Sequence, residues 1–501
     1  MKEKQKNEPS VDSPGLRRQL GLTGLAATGI CSMLGASVYV VPFMIQRSVP
    51  GIGPHVLPAF LFAAVPAILA AMAYAILSTA MPRAGGSYLY ASRGLHPYLG
   101  FVASFSQWFG LSIAIGVISY IIIPFFRDMA ASLGWEDAAQ LLERGPVRVS
   151  LAILLLWTFV GINVLGVRFY ERILVPLMVM MFGLGAIVII AGFSFDHSDF
   201  AASLLQKEGR ALPLTNPGLS LHTLLTAAAL LFSSFIGFDS IAQAGGEAKN
   251  PQRSLPLAIG IAIGSVGAYY FIFTAAVYHA IPWTFVSEQA LQKDISAPGL
   301  LSYLLTPGWA VAITLGAAIA LINDLPAMLL SVSRLMFAWA EDGIFPKQVA
   351  RIHTKYQTPV VAILVSGGMA TVGILGSHLA GDFFLGIDIM VTAMLVNFLL
   401  MCLTVIRLPF YNPSLARSVT LFKSRSIQWL IALPGAALLV LFLVVHTQKD
   451  LQSTVTAWYF HSTLVWLIVM GIASLIFLWK IRQLKRAGKD IKTAFKSLPP
   501  H

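Results

Sequence analysis

Gly29-Ile30-Cys31-Ser32-Met33-Leu34-Gly35-Ala36-Ser37 and Phe232-Ser233-Ser234-Phe235-Ile236-Gly237-Phe238-Asp239 are the two stretches on which the fold turns. Each sets glycine and small polar residues in the middle of a long apolar run. Small residues in a membrane helix mostly serve close packing, and that covers most of the 41 glycines. These two stretches differ, because Pro42 follows the first and the acid Asp239 ends the second. Irregular backbone at mid-membrane is tolerated only where it is buried in protein or lines a cavity, so two broken helices facing one another imply a site between them.

The composition around these stretches requires a membrane. Of 501 residues 57% are hydrophobic and 11% charged, against roughly 25% charged in an average soluble domain. Disorder is excluded too, since 31 Phe, 16 Met and 10 Trp are far too many for a chain that cannot collapse. A helix that crosses the roughly 30 Å hydrocarbon layer needs about 20 mainly apolar residues. Twelve runs fit: Leu22 to Gln46, Val56 to Ala80, Tyr98 to Phe126, Val149 to Leu165, Arg172 to Phe193, Leu221 to Ala244, Leu255 to Ile281, Pro307 to Ala340, Pro359 to Leu379, Asp382 to Leu408, Ile427 to His446 and Thr463 to Lys480. None alternates apolar with polar residues, as the strands of a membrane barrel must.

Alternate connections differ in charge. Arg47, Arg127, Arg144, Arg148, Lys207, Arg210, Lys293 and Lys449 fall on one side, which leaves 26 of the 34 Lys and Arg on the other. Cytoplasmic loops accumulate positive charge, so both termini are expected in the cytoplasm of a plasma (inner) membrane protein. The N-terminal polar segment lacks the early apolar core of a cleaved signal, so the first run is expected to remain as a span. The domain reading is a tail over 1–21, a core of ten spans over 22–408, two further spans over 409–480 and a basic tail over 481–501. The net charge of +12 does not point to nucleic acid, because the basic residues are scattered rather than gathered in one patch. Membrane lipid is the expected surrounding. Cys31 and Cys402 both lie in apolar runs and read as packing thiols, not as a disulfide pair.

The backbone chemistry of the breaks suits a zwitterion. A half-helix starting at Gly35 to Ser37 presents free N–H groups and a positive dipole end to a carboxylate, while unwound carbonyls near Met33 and Phe235 suit an ammonium. The first and sixth spans are five apart, the spacing of two five-span inverted repeats.

Three further stretches carry a resemblance. Met81-Pro82-Arg83-Ala84-Gly85-Gly86-Ser87-Tyr88-Leu89-Tyr90 follows the second span, and Gly246-Glu247-Ala248-Lys249-Asn250-Pro251-Gln252-Arg253-Ser254-Leu255-Pro256 the sixth. Ser333-Arg334-Leu335-Met336-Phe337-Ala338-Trp339-Ala340-Glu341-Asp342-Gly343-Ile344-Phe345-Pro346 ends the eighth. In these the chain resembles permeases of the amino acid/polyamine/organocation (APC) superfamily over nearly all of its first ten spans. The resemblance implies an all-α polytopic fold of LeuT-like five-plus-five inverted repeats, with the first and sixth helices broken. It implies a cargo of amino acids, polyamines or related organocations. By resemblance the N–H groups of Gly35, Ala36 and Ser37 take a carboxylate and the Met33 carbonyl the amine. Phe235, Ile236, Gly237 and Phe238 supply carbonyls and an aromatic lid, and Ser233 a selective side chain. Two departures matter. Ser37 stands where the family usually has a glycine, which narrows the approach to the backbone. Met180 and Met181 stand where proton-coupled members resembling this chain carry a lysine, which counts against a lysine-borne proton switch.

Charge within the bilayer is costly, so each acid there is a functional candidate. Asp239 reads either as a coupling group or as an acid that ties the two half-helices together. Asp324 beside Asn323 reads as a cavity or cation-site residue. Ser331 and Ser333 are expected to complete a sodium site if there is one, since hard cations take oxygen ligands. Arg334 reads as a structural anchor. No cofactor or metal is expected beyond H+ or Na+ as a coupling ion.

The leading functional reading is a secondary active transporter that moves amino acids or related amines by alternating access, by symport or exchange. The phosphate loop of an ATP-driven pump and the paired catalytic residues of an intramembrane enzyme are both absent from the sequence. A non-transporting amino-acid receptor with the same pocket is the alternative. The loops expected outside contain no cysteine, so no disulfide-linked partner subunit is expected.

Overall fold

The computed structural model describes residues 16–35, 37–212, 220–380, 384–453 and 458–499. Ala36 and Asp382 therefore lie outside the described residues, as do 1–15 of the N-terminal tail and 500–501 of the C-terminal one. Among the described residues the chain is helical with no strand, and an isolated parallel bridge joins Leu20 to Ala248.

Among the described residues twelve helices are long and apolar enough to cross a membrane: Leu22–Ser48, Gly53–Ala80, Pro97–Ser132, Gly145–Val164, Val167–Ser194, Leu221–Glu247, Pro251–Ala280, Gly308–Glu341, Val360–Leu379, Leu385–Tyr411, Arg425–Gln452 and Ser462–Arg486. Each contains or overlaps one run expected from the sequence. Most extend further, because a helix does not stop where its apolar residues do. The third begins at Pro97 behind His96, whose ring accepts from the Tyr98 N–H, and the seventh begins at Pro251. Proline is at home in a first turn, where its missing N–H has no partner to lose.

The packing shows the five-plus-five repeat that the side chains leave obscure. If each span is exchanged for the one five places later, the main packed pairs map onto one another. Third on tenth becomes eighth on fifth, third on ninth becomes eighth on fourth, and first on seventh becomes sixth on second. Second on seventh, third on eighth and fourth on ninth map onto themselves. The first and sixth spans lie at the centre, with 94% and 89% of their apolar windows buried, against 17% for the twelfth. Rows of apolar side chains such as Leu430, Leu433, Leu475 and Trp479 face outward on the last two spans, where a bilayer replaces protein as their solvent.

Both central spans break as expected. In the first, helix Leu22–Met33 ends at Leu34, whose N–H donates to the Ile30 carbonyl, and a second helix runs Ser37–Ser48. In the sixth, helix Leu221–Leu231 tightens into a 3-10 turn over Phe232–Phe235, extends at Ile236, and reverses at Gly237 with φ +136° before the short helix Ser240–Gln243. A β-carbon at Gly237 would meet the Ser32 carbonyl, so glycine here permits both the positive φ and the contact between the two breaks.

Candidate substrate site between the broken helices

The two breaks enclose a cavity of about 50 Å3, room for a few waters. Ser32, Met33 and Val41 line it from the first span, Ser233 and Ile236 from the sixth, and Asp324 and Met328 from the eighth. Ala114, Val117 and Ile118 of the third and Ile387 and Met390 of the tenth close it. Among the described residues Asp324 is its one ionisable lining residue. Its Oδ1 has no hydrogen-bond partner, nor has the Ser233 hydroxyl, although both side chains are more than nine-tenths buried. Buried polar atoms are almost always bonded, so two in the lining of one cavity equip it to bond a polar guest.

The residues expected from sequence divide into groups. Met33, Ser233 and Ile236 line the cavity together with Asp324. Gly35 lies directly beneath the Asp324 carboxylate, which a β-carbon there would overlap. Ala36 and the Ser37 side chain are outside what the structure describes. The Met33 carbonyl already accepts from the Tyr270 hydroxyl at 3.1 Å, so an amine there would share this oxygen or displace that donor. Phe235 packs at a tilt against Phe60 and Tyr270, which themselves stack on one another. Phe238 packs in parallel with Phe398, ring centroids 4.8 Å apart. Neither Gly237 nor Phe238 is among the residues that line the cavity.

Asp239 bonds both to its own loop and to the third span. Its Oδ1 accepts from the Gly237 N–H at 3.2 Å, which pins the reversed loop, and its Oδ2 accepts from Gln107 Nε2. The Gln107 Oε1 accepts in turn from the Ser87 hydroxyl and from the amides of Gln243 and Asn397, and Asn397 also donates to Tyr74 at 2.7 Å. The sixth-span loop is thus fixed to the second, third and tenth spans by one buried network. Ser331 is buried with an unpartnered hydroxyl, whereas Ser333 donates to the Leu330 carbonyl and accepts from Arg334. Arg334 is the anchor expected of it. It forks onto Glu247 with Nη2 at 2.5 Å and Nε at 3.2 Å, both side chains 1% exposed.

Sequence reasoning missed the amides. Gln107 and Asn397 lie inside apolar spans, and a polar side chain at that depth is itself a signal of a network. Cys31 is buried as expected, and its sulfur accepts from Asn323 at 2.9 Å beside the site.

The end of the bundle that carries the N-terminal segment is shut. The Ser32 and Ser240 hydroxyls meet at 3.0 Å, the Gln19 and Leu20 N–H groups donate to the Glu247 carbonyl, and Lys249 N–H donates to the Leu20 carbonyl. Toward the opposite end a second hollow of about 280 Å3 shares Val117 with the first and reaches the exposed Asp128 and Asp294.

Residues 20–482 match the family described as amino acid permease, and the chain belongs to that family. It is therefore a multi-pass membrane protein of the APC superfamily. It is 30% identical over 379 residues to human cationic amino acid transporter 4, which covers 72% of this chain and 55% of that protein. The mouse counterpart is 29% identical over 374 residues, with the same shares. The branched-chain amino acid permease BcaP of Bacillus subtilis is 26% identical over 446 residues, 86% of this chain and 88% of that one. The chain thus spans about half the length of the mammalian relatives and most of the bacterial one.

Proposed function

We propose that the chain is a secondary active transporter that carries amino acids or related amines, not an enzyme, and that it works by alternating access at the cavity between its broken helices. The observation that carries this reading is the pair of unpartnered buried groups, Asp324 Oδ1 and the Ser233 hydroxyl, set against interrupted backbone at Gly35 and Ile236. Names of relatives that specify cationic and branched-chain amino acids support the cargo class. A lone carboxylate in the lining favours cargo with a spare positive charge.

Alternating access is supported by the asymmetry of the two ends, one bonded shut and one hollowed out. The opposite state would need the Ser32–Ser240, Leu20–Glu247 and Arg334–Glu247 contacts to open. The Lys and Arg bias supports a cytoplasmic shut end, in a protein that resides in a plasma (inner) membrane. For coupling, Asp324 is the leading site for a proton and Ser331 the oxygen nearest in sequence for sodium, with Asp239 holding the loop in place. Purified protein in liposomes, offered radiolabelled amino acids and polyamines under separate proton and sodium gradients, tests the proposal. Uptake or counterflow of one class supports it. Binding without movement would instead favour the receptor reading, and neither binding nor movement would defeat both.

A further inference from the structure

Two of the stretches on which the resemblance rests have no part in the cavity, yet they meet. Pro82 and Arg83 from the loop after the second span, and Asn250 to Arg253 from the loop after the sixth, line a hollow of about 580 Å3 at the shut end, with Arg18 and Leu498. Arg18, Arg83 and Arg253 line it, the first and last of them exposed, and among the described residues no acidic one does.

Some arginines of this chain are ion-paired. Arg93 forks onto Asp342, Arg334 onto Glu247, and Arg210 onto Glu288 and Glu208. Among the described residues no ion pair or side-chain hydrogen bond forms at the three arginines of the hollow, and Arg83 Nε is sealed from solvent with no partner there. Three like charges in one hollow repel, and a buried N–H donor left unmade is costly, so the arrangement calls for an anion. The 30-residue helix Pro251–Ala280 starts at the same place with no side-chain cap, and its positive end adds to the attraction. Guanidinium forks match the oxygens of a phosphate group better than they match chloride.

We propose that this hollow binds a phosphate group and that the bound group latches the shut end. Each arginine lies within a few residues of a backbone bond that closes that end. Arg18 precedes Leu20, whose carbonyl accepts from Lys249; Arg83 precedes Gly85, whose N–H donates to Gln243; and Arg253 follows Lys249. A phosphate shared by all three joins the entry to the first span, the second-span loop and the exit of the sixth span. Without it, the same three charges push those segments apart. The binding claim stands on the hollow alone, whereas the latch rests on the alternating-access reading above.

The shared chemistry comes from an anionic lipid headgroup or from soluble phosphate, and the arms of the test separate them. Full-length protein is placed in nanodiscs of phosphatidylcholine, or of phosphatidylcholine mixed with phosphatidylglycerol, and its thermal unfolding is followed. Inorganic phosphate is titrated into the neutral discs against chloride at equal ionic strength. One of the two additions is expected to raise the midpoint by roughly 3–5 °C, as a ligand of the native state does. A response to phosphatidylglycerol alone identifies a lipid headgroup, and one to phosphate in neutral discs a soluble ligand. The shift should vanish in Arg18→Gln/Arg83→Gln/Arg253→Gln and survive in Arg482→Gln/Lys485→Gln/Arg486→Gln, which removes the same charge from the end of the twelfth span. Arg83→Gln alone, should the triple variant fail to fold, should lose at least half of the shift. No shift with either addition, or equal loss in both triple variants, overturns the proposal. Uptake in liposomes of the same two compositions reads the latch separately: wild-type rates should differ at least twofold and those of the hollow variant should not. A chain that moves no cargo would still show the midpoint shift, so failure of the transport reading is distinguishable from failure of this one.

Discussion

The carboxylate of Asp324 closes over Gly35 so tightly that a β-carbon at position 35 would fall on its Oδ2. The eighth span therefore touches the first at its break, and glycine is needed there for space. Gly35→Ala should reduce uptake at least tenfold in protein that still reaches the membrane. Gly264→Ala is the control, since nothing lies within 4 Å of a β-carbon there, and alanine is the better helix former by about 0.5–1 kcal/mol. Its uptake should match wild type and its unfolding midpoint should not fall.

Ser233 carries a buried hydroxyl with no partner. Removing a polar group that bonds nothing relieves an unmet donor, so Ser233→Ala should leave stability unchanged or slightly raised. If the hydroxyl serves cargo, the same change raises KM with little effect on folding. Unfolding midpoints and saturation curves measured together separate the two effects.

Glu247 and Arg334 form the one ion pair among the described residues in which both side chains are 1% exposed. Cutting one partner strands a buried charge and should cost about 3–5 kcal/mol, whereas removing both should cost less than the sum. A double-mutant cycle of Glu247→Gln and Arg334→Gln on unfolding free energy checks this. Loss of the pair should also loosen the shut end, seen as faster labelling of a cysteine placed at Ser240.

Asp239 accepts from Gln107 Nε2, while Gln107 Oε1 accepts from Ser87, Gln243 and Asn397. Asp239→Asn alone sets one amide donor against another, and Gln107 cannot rotate to suit it without turning a donor toward its three other partners. Uptake and thermal stability should both fall. Adding Gln107→Glu returns an acceptor to every donor and should restore most of the lost midpoint. A double variant no better than the single one would refute the network.

Asp196 caps the helix His197–Glu208 by accepting from the Ser198 hydroxyl and from the N–H groups of Ser198 and Asp199. These bonds favour its charged form and hold its carboxyl below the ordinary range. A lowered native pKa contributes stability above the unfolded-state value and loses it as pH falls through the native one. Protection of the 197–208 amides, relative to their intrinsic exchange rate, should therefore fall on acidification below about pH 4, and Asp196→Asn should blunt that response.

The spans were legible because the bilayer imposes one length and one polarity on every crossing segment. Broken helices were legible as well, since Gly35 and Gly237 interrupt runs that otherwise have no reason to stop. The Asp239 reading stayed open because a carboxylate's role depends on what faces it, and Gln107 is 132 residues distant in sequence. The partners of Ser333 were hidden for a similar reason: its hydroxyl donates to the Leu330 carbonyl and accepts from its neighbour Arg334, which the helix geometry rather than the residue type decides.

The sequence by itself determined a helical membrane bundle, the number of its crossings, the two places where helices must break and the family to which the chain belongs. These follow from local composition, which water and lipid read residue by residue. Tertiary structure alone decided which acid faces the cavity, which holds a loop, that one end is shut, and that three arginines share a hollow. Those outcomes depend on which side chains of distant spans come within a few ångströms of one another, and no local pattern encodes that distance.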